Sequence, residues 1–342
     1  MKKQNSFQKL RLAPKALAVA AGAGLMMAAA PVDAAVISLS TDVTVGGVSY
    51  SSIDNFTVSS PLTELPGATG SSAYGIGEAS TASGTDAFDG FAGITVDGVA
   101  FNQPNDQVDL TSTPNGASVN TITPMDIAGI DTSLDYFMSA TNPTLRAIGT
   151  FTNTTASEII AEIAYGGDLG CDSNCQIEDS STGDTSFQSQ RDQWFIVSDG
   201  SEGDPTLTFS RFGAGKQFAS STPEFPNFSG ELGDIWTLSL DPGETQSLMW
   251  FTDFNPTVAD AQARASIFTD LSSLGAAGLL VGLSSAEIDR AVNWNQDATP
   301  DTASTPEPGT ILGMGLSVLF GLFWKQKRNR HRHGLNFNRD NS

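Results

Sequence analysis

The sequence predicts a mainly β protein: an antiparallel β-sandwich of jelly-roll or immunoglobulin-like kind, with one or two helices late in the chain. Three observations carry that expectation. Short runs of β-branched, aromatic and alternating residues recur from Val36 to Phe251. Gly, Pro, Asn and Asp separate them at positions that suit tight turns. Helical periodicity appears only after Asn255. Many short strands joined by such turns bury their apolar faces by stacking antiparallel layers.

The strands follow in order. "VTVGGVSY" (43–50) and "ITVDGVAF" (94–101) each place a two-residue turn, Gly46-Gly47 or Asp97-Gly98, between alternating runs. Such hairpin turns need positive φ, which Gly and Asp tolerate. The Gly-, Ser- and Pro-rich stretch between them, residues 59–93, reads as loop. Further strands are expected at 145–153, 158–166, 193–199, 206–212, 234–240 and 245–251. In "IWTLSL", Trp236, Leu238 and Leu240 share one face and Thr237 and Ser239 the other, as in a half-buried strand. "LDPGET" (240–245) then turns the chain, with Pro242 fixing φ and Gly243 accepting positive φ.

Two helices are expected next. The first starts with Asn255 as N-cap and Pro256 at its first position, and Gly275 closes it. Its apolar stripe is Val258, Ala261, Ala265, Phe268 and Leu271. The second, within 284–294, has Ser284 and Glu287 at capping-box spacing, with Ile288, Ala291 and Val292 toward the core.

Charge narrows the function. Of 38 acidic residues, all but Asp33, Glu307 and Asp340 lie within residues 35–305, where only six of the 17 basic residues fall. That region carries a net charge of about −29, which repels phosphate backbones, so no nucleic-acid partner is expected. The chain's two histidines, His331 and His333, both lie in the basic tail. Ser-His-Asp and Cys-His catalysis and His-ligated zinc are thereby excluded from the central region. No catalytic residue is assigned, but chemistry based on two carboxylates stays open.

One loop, residues 166–194, stands out for its acids and for Cys171 and Cys175, the only cysteines. In an oxidising compartment these two are expected to form a disulfide. Asp168 and Asp172 in this loop, with Asp199 and Asp204 in "SDGSEGDP", are the candidate ligands for calcium, which takes six to eight oxygens. Neither segment has EF-hand spacing. No other cofactor is expected.

Both ends address the chain. A basic stretch through Lys15 precedes an uncharged, Ala-rich run from Ala16 to Val32, and the small residues Val32 and Ala34 place a cut after Ala34. This is a secretory signal peptide (1–34), which implies the Sec export machinery as a partner. A secreted domain (35–294) and a polar linker (295–305) follow. Then come Pro306-Glu307-Pro308, an uncharged run to Trp324 and the basic cluster "KQKRNRHR" (325–332), with a short extension at 333–342. A helix over Thr310–Trp324 would be about 22 Å long, against about 30 Å of bilayer hydrocarbon. Basic residues after it belong on the cytoplasmic side.

This triplet, apolar helix and basic cluster resemble the bacterial PEP-CTERM sorting signal. The resemblance covers about thirty residues. It implies processing at the triplet by an exosortase-type membrane enzyme and release to the cell surface or an exopolysaccharide matrix. The stretch from "GDLGCDS" to "DPTLTFSRFG", with "GLSSAEIDRAVNW", also resembles the central regions of other such proteins, with no activity to carry over. The function expected is that of an exported, transiently anchored surface or matrix protein, a non-catalytic module associated with exopolysaccharide. The alternative is a secreted glycan-active enzyme using paired carboxylates.

The processing is directly measurable. Mass spectrometry of surface and culture fractions should find mature protein beginning near Ala35 and lacking Trp324. Recovery of chiefly intact chain containing Trp324 would replace the sorting signal with a permanent anchor.

Overall fold

A computed structural model describes residues 33–57, 72–170, 175–188, 190–200, 203–213 and 230–294. The signal segment, Pro306-Glu307-Pro308, the apolar run and the basic cluster lie outside the described residues. Among the described residues no helix is long and apolar enough to cross a membrane.

The strands, in chain order, are β1 (Asp33–Ser38), β2 (Thr41–Val45), β3 (Val48–Thr57), β4 (Ser72–Thr81), β5 (Gly93–Val96), β6 (Val99–Ala100), β7 (Gln107–Thr113), β8 (Gly116–Thr121), β9 (Met125–Ile127), β10 (Ile130–Ser139), β11 (Thr144–Asn153), β12 (Ile159–Asp168), β13 (Gln176–Ser180), β14 (Trp194–Ser198), β15 (Thr206–Ser210), β16 (Glu231–Leu240) and β17 (Thr245–Asn255). Helices α1 (Val258–Arg264), α2 (Leu271–Ala276) and α3 (Ser285–Arg290) follow. The protein is thus mainly antiparallel β with late helices. The strands form three sheets: a ten-stranded one in the order β1-β7-β8-β10-β11-β17-β15-β14-β13 with β9 beside β10, a four-stranded one (β16-β12-β5-β6) and a three-stranded one (β2-β3-β4).

Both expected hairpins form, with positive φ at Gly46 and Gly47 and at Asp97 and Gly98. Trp236, Leu238 and Leu240 are buried while Thr237 and Ser239 are exposed, as the alternation requires. The structure departs from the reading of 59–93 as loop, because β4 lies within it. Its small residues serve close packing: a Cβ on Gly77 would come within 2.9 Å of the Phe56 and Ser52 side chains. The expected loop at 166–194 likewise contains β13 and the end of β12. Strand β1 straddles the predicted cut. Asp33 and Ala34 pair with Ser112 and Thr111, and a chain starting at Ala35 keeps the pairs from Ala35–Leu110 to Ser38–Gln107.

The single long first helix is also corrected. Asn255 ends β17, and Thr257 is the N-cap of α1, its hydroxyl accepting from the Asp260 N–H. The chain continues through a 3-10 turn, and Asp270 caps α2 by accepting from the Ser273 N–H at 2.8 Å. Thr and Asp favour caps over helix interiors, so the apolar stripe is divided among α1, the 3-10 turn and α2. In α3 the Ser284–Glu287 capping box forms as expected.

One apolar core joins all three sheets, with Tyr50, Ile76, Phe91, Tyr136, Trp236 and Trp250 among its members. A second cluster lies on the opposite side of β17. There Met249 and Phe251 pack against Phe268, Leu274, Leu279 and Trp294. Asn293 fastens this cover by accepting from the Met249 N–H and donating to the Met249 and Arg211 carbonyls. Trp294 Nε1 donates to the Met249 carbonyl at 2.7 Å. Asp253, fully buried, pairs with Arg264 of α1 at 2.7 Å and accepts from the Thr144 hydroxyl.

A second buried ion pair links two sheets. Arg211, just beyond β15, pairs with Asp234 of β16, and both are almost fully buried. Trp236 Nε1 donates to the same carboxylate at 2.9 Å, and Arg211 also donates to the Asp192 carbonyl at 3.0 Å. Asp234→Ala strands a buried guanidinium and should cost about 3–5 kcal/mol in chemical denaturation. Asp241→Ala, at an exposed turn, should change stability by less than about 0.5 kcal/mol. A loss below about 1 kcal/mol for Asp234→Ala would show that the pair does not hold the sheets together.

Candidate functional site

Two places gather side chains with chemical potential. At one end of the molecule the loop of residues 82–92 is stitched between separate elements. The Ala87 N–H donates to the Ala79 carbonyl, the Gly170 N–H to that of Ala87 and the Thr85 N–H to that of Gly203. Gly84 meets the Asp204–Pro205 linkage so closely that a Cβ would lie 2.5 Å from the Pro205 nitrogen. This closure brings Asp86, Asp199 and Asp204 to the rim of one small space, with room for about one water.

Two of the four predicted calcium ligands, Asp199 and Asp204, are therefore neighbours. Asp168 is not with them: its Oδ1 turns toward Gly230, lying 2.5 Å from where a Cβ there would be. Asp172 and Cys171 lie outside the described residues. Cys175 is buried and held in a disulfide. Although three aspartates border the space, no group of three His, Cys, Asp or Glu among the described residues is placed to hold a metal ion.

Glu78 of β4 belongs to the same end. Burial and then the nearby Asp86 charge push its pKa up to about 7, against the lowering effect of backbone N–H donors at Ala79, Phe88 and Ala87. Its Oε1 is shut from solvent without a hydrogen-bond partner. Neither Glu78 nor Asp86 stands out in the sequence. The available signal is the pair of acids, Asp86 and Asp89, in a Gly-rich connection.

The second place is the outward face of β7, β8, β10 and β11. Leu134, Tyr136 and Met138 of β10 point to the core, so Ser133, Asp135 and Phe137 point away from it. The register sets Asp109 opposite Asn120, and Thr111, Ser118, Phe137 and Arg146 in one row across four strands. Arg146 lies 4.7 Å over the Phe137 ring and donates to the Leu279 and Val281 carbonyls, which fixes the segment after α2 over the sheet. Burial lowers its pKa to about 10, partly offset by Glu287 and Asp135. Asp135 accepts from the Thr121 N–H at 2.7 Å. Burial nevertheless raises its pKa to about 6, helped by Glu287 and opposed by Thr121 and Arg146. Glu287 is held below the usual carboxylate range by its Ser284 hydrogen bonds. Two partly shielded carboxyls, Glu78 and Asp135, thus titrate near neutrality.

No protein-family model matches the chain, and no curated protein matches it. Solved structures do align with it. One is a polysaccharide lyase, 14% identical at a TM-score of 0.35, covering 61% of this chain and 34% of the lyase. Another is the heparan sulfate lyase HepC from Pedobacter heparinus, 10% identical at 0.32, covering 48% and 24%. A third is a galactose mutarotase related enzyme from Lactobacillus acidophilus, 10% identical at 0.32, covering 63% and 97%. The chain therefore spans only about a third of the lyase's length and about a quarter of HepC's.

The raised Glu78 pKa sets a pH dependence. Stability tied to the protonated group is complete below the ordinary value of 4.5 and is lost as pH rises through about 7. Glu78→Gln should therefore raise the melting temperature relative to the parent at pH 8 and leave it nearly unchanged at pH 4.5. Equal effects at both pH values would contradict the shift.

Proposed function

We propose that this is an exported surface or matrix protein, processed by an exosortase-type enzyme, that holds exopolysaccharide without catalysis on a β-sandwich scaffold. The observation that carries the binding role is the outward face of β7, β8 and β10. Asp109, Thr111, Ser118, Asn120, Ser133 and Asp135 are all partly exposed there. The sheet spaces such groups about 4.8 Å apart between strands, a regular array of donors and acceptors for the hydroxyls of a glycan chain. The signal peptide and the sorting segment support delivery to where such polymers lie.

A second reading, a glycan-active enzyme with paired carboxylates, is favoured by two raised carboxyl pKa values: Glu78 at about 7, with the Asp86 charge acting on it, and Asp135 at about 6, with the Glu287 charge acting on it. One screen separates the two. Full-length protein, with and without calcium, is applied to a glycan array and assayed for turnover. Binding without turnover is expected, weakened about tenfold or more by the Asp109→Ala/Asn120→Ala double variant at unchanged melting temperature. Turnover lost in Glu78→Gln or Asp135→Asn establishes the enzyme instead, and neither binding nor turnover overturns both.

A further inference from the structure

Three arginines stand at junctions between layers, and they use their guanidinium groups differently. Arg264 donates through Nε, Nη1 and Nη2 to Asp253 and Asn142. Arg211 donates through Nε and Nη2 to Asp234 and through Nη1 to the Asp192 carbonyl. Arg146, 5% exposed, donates through Nη1 alone, to the Leu279 and Val281 carbonyls. Its Nε is shut from solvent without a partner, and among the described residues no acceptor meets its Nη2. A guanidinium that is nearly buried and half unmatched is costly, and a ligand acceptor would relieve that cost.

A carboxylate stands close by without answering it. The register sets Phe137 opposite Arg146, and Asp135, two residues earlier in β10, shares their outward face diagonally across from Arg146. Each charge acts on the other. Yet the ion pairs among the described residues are Arg211–Asp234 and Arg264–Asp253, not this one. Asp135 is held instead by the Thr121 N–H and hydroxyl. A carboxylate has about four acceptor sites, so this partly exposed one keeps capacity to spare. The Phe137 ring lies beneath the guanidinium. A donor and an acceptor thus stand on either side of a short gap, where the segment after α2 begins to cover the sheet. The matching ligand offers an acceptor and a donor side by side, as adjacent sugar hydroxyls do. An anionic sugar is disfavoured, because Asp135 and the exposed Glu287 both act at this spot.

We infer that Arg146 and Asp135 bracket a pair of adjacent hydroxyls on a neutral sugar, Arg146 Nη2 donating to one and the Asp135 carboxylate accepting from the other. This rests on the glycan-holding reading and names the group of the glycan that is recognised. The bracket closes the row of Thr111, Ser118 and Phe137 at its covered end.

The test uses full-length protein and immobilised polysaccharides. Dextran or mannan, whose rings carry adjacent free hydroxyls, should bind at least about tenfold better than curdlan, whose rings carry none, and than the polyuronate alginate. Asp135→Asn and Arg146→Lys should each remove about tenfold of that binding. Periodate cleavage of the adjacent hydroxyls, followed by borohydride reduction, should cost the parent a similar factor and cost Asp135→Asn almost nothing, because the same contact is lost only once. A merely structural Asp135 would leave the effect of oxidation undiminished, and this comparison stands even if Arg146→Lys unfolds. Equal oxidation effects in parent and variant, or preference for curdlan or alginate, overturn the bracket alone. Absence of binding to any glycan overturns the holding role and the bracket together.

Discussion

The Arg211–Asp234 pair is the interaction on which the arrangement of sheets depends. It lies almost fully buried between the ten-stranded and four-stranded sheets, where neither charge has water to fall back on. Such a pair is tolerable only if its remaining hydrogen-bonding capacity is used. Trp236 completes the carboxylate, the Asp192 carbonyl takes a guanidinium proton, and the Phe187 and Phe212 rings face the cation at 4.9 and 5.4 Å. Each of these partners comes from a different position along the chain. The pair therefore selects one relative placement of β14, β15 and β16, where apolar burial alone would accept several.

β17 is the second organising element. It runs between β11 and β15, buried on both faces. Its inward residues Leu248, Trp250 and Phe254 belong to the main core, and Met249 and Phe251 to the cluster under the helices. The helices are short and contribute little by propensity. They are held instead by specific polar contacts: Arg264 to Asp253, Arg146 to two carbonyls after α2, and Asn293 to the strand edge. This explains why a chain with so few basic residues in its central region places three of them, Arg146, Arg211 and Arg264, at junctions between layers.

Much of this was legible in the sequence. The strands β11, β12, β14, β15, β16 and β17 carry large apolar or β-branched residues in runs that periodicity detects, and the two glycine-centred hairpins announce their own turns. β4 and β8 did not, because Ser, Thr, Gly and Ala dominate them. Their strand character comes from tertiary pairing and from close backbone approach, neither of which is a local property. The site was read less completely. Asp199 and Asp204 are near each other in sequence and in space, but Asp86 joins them from more than a hundred residues away. Asp135 looks like any polar strand residue, and its raised pKa follows from what covers it.

The fastening of Asn293 and Trp294 has a mechanical consequence. A pull on the chain beyond residue 294 enters the fold through hydrogen bonds to Met249 and Arg211, in the middle of the largest sheet. Neighbouring strands on both sides share that load through their ladders, so no single weak edge receives it. Such a load would meet the fold at a central strand and not at a sheet edge. Tension would have to draw Trp294 out of its apolar cluster before it could begin to peel the sheet.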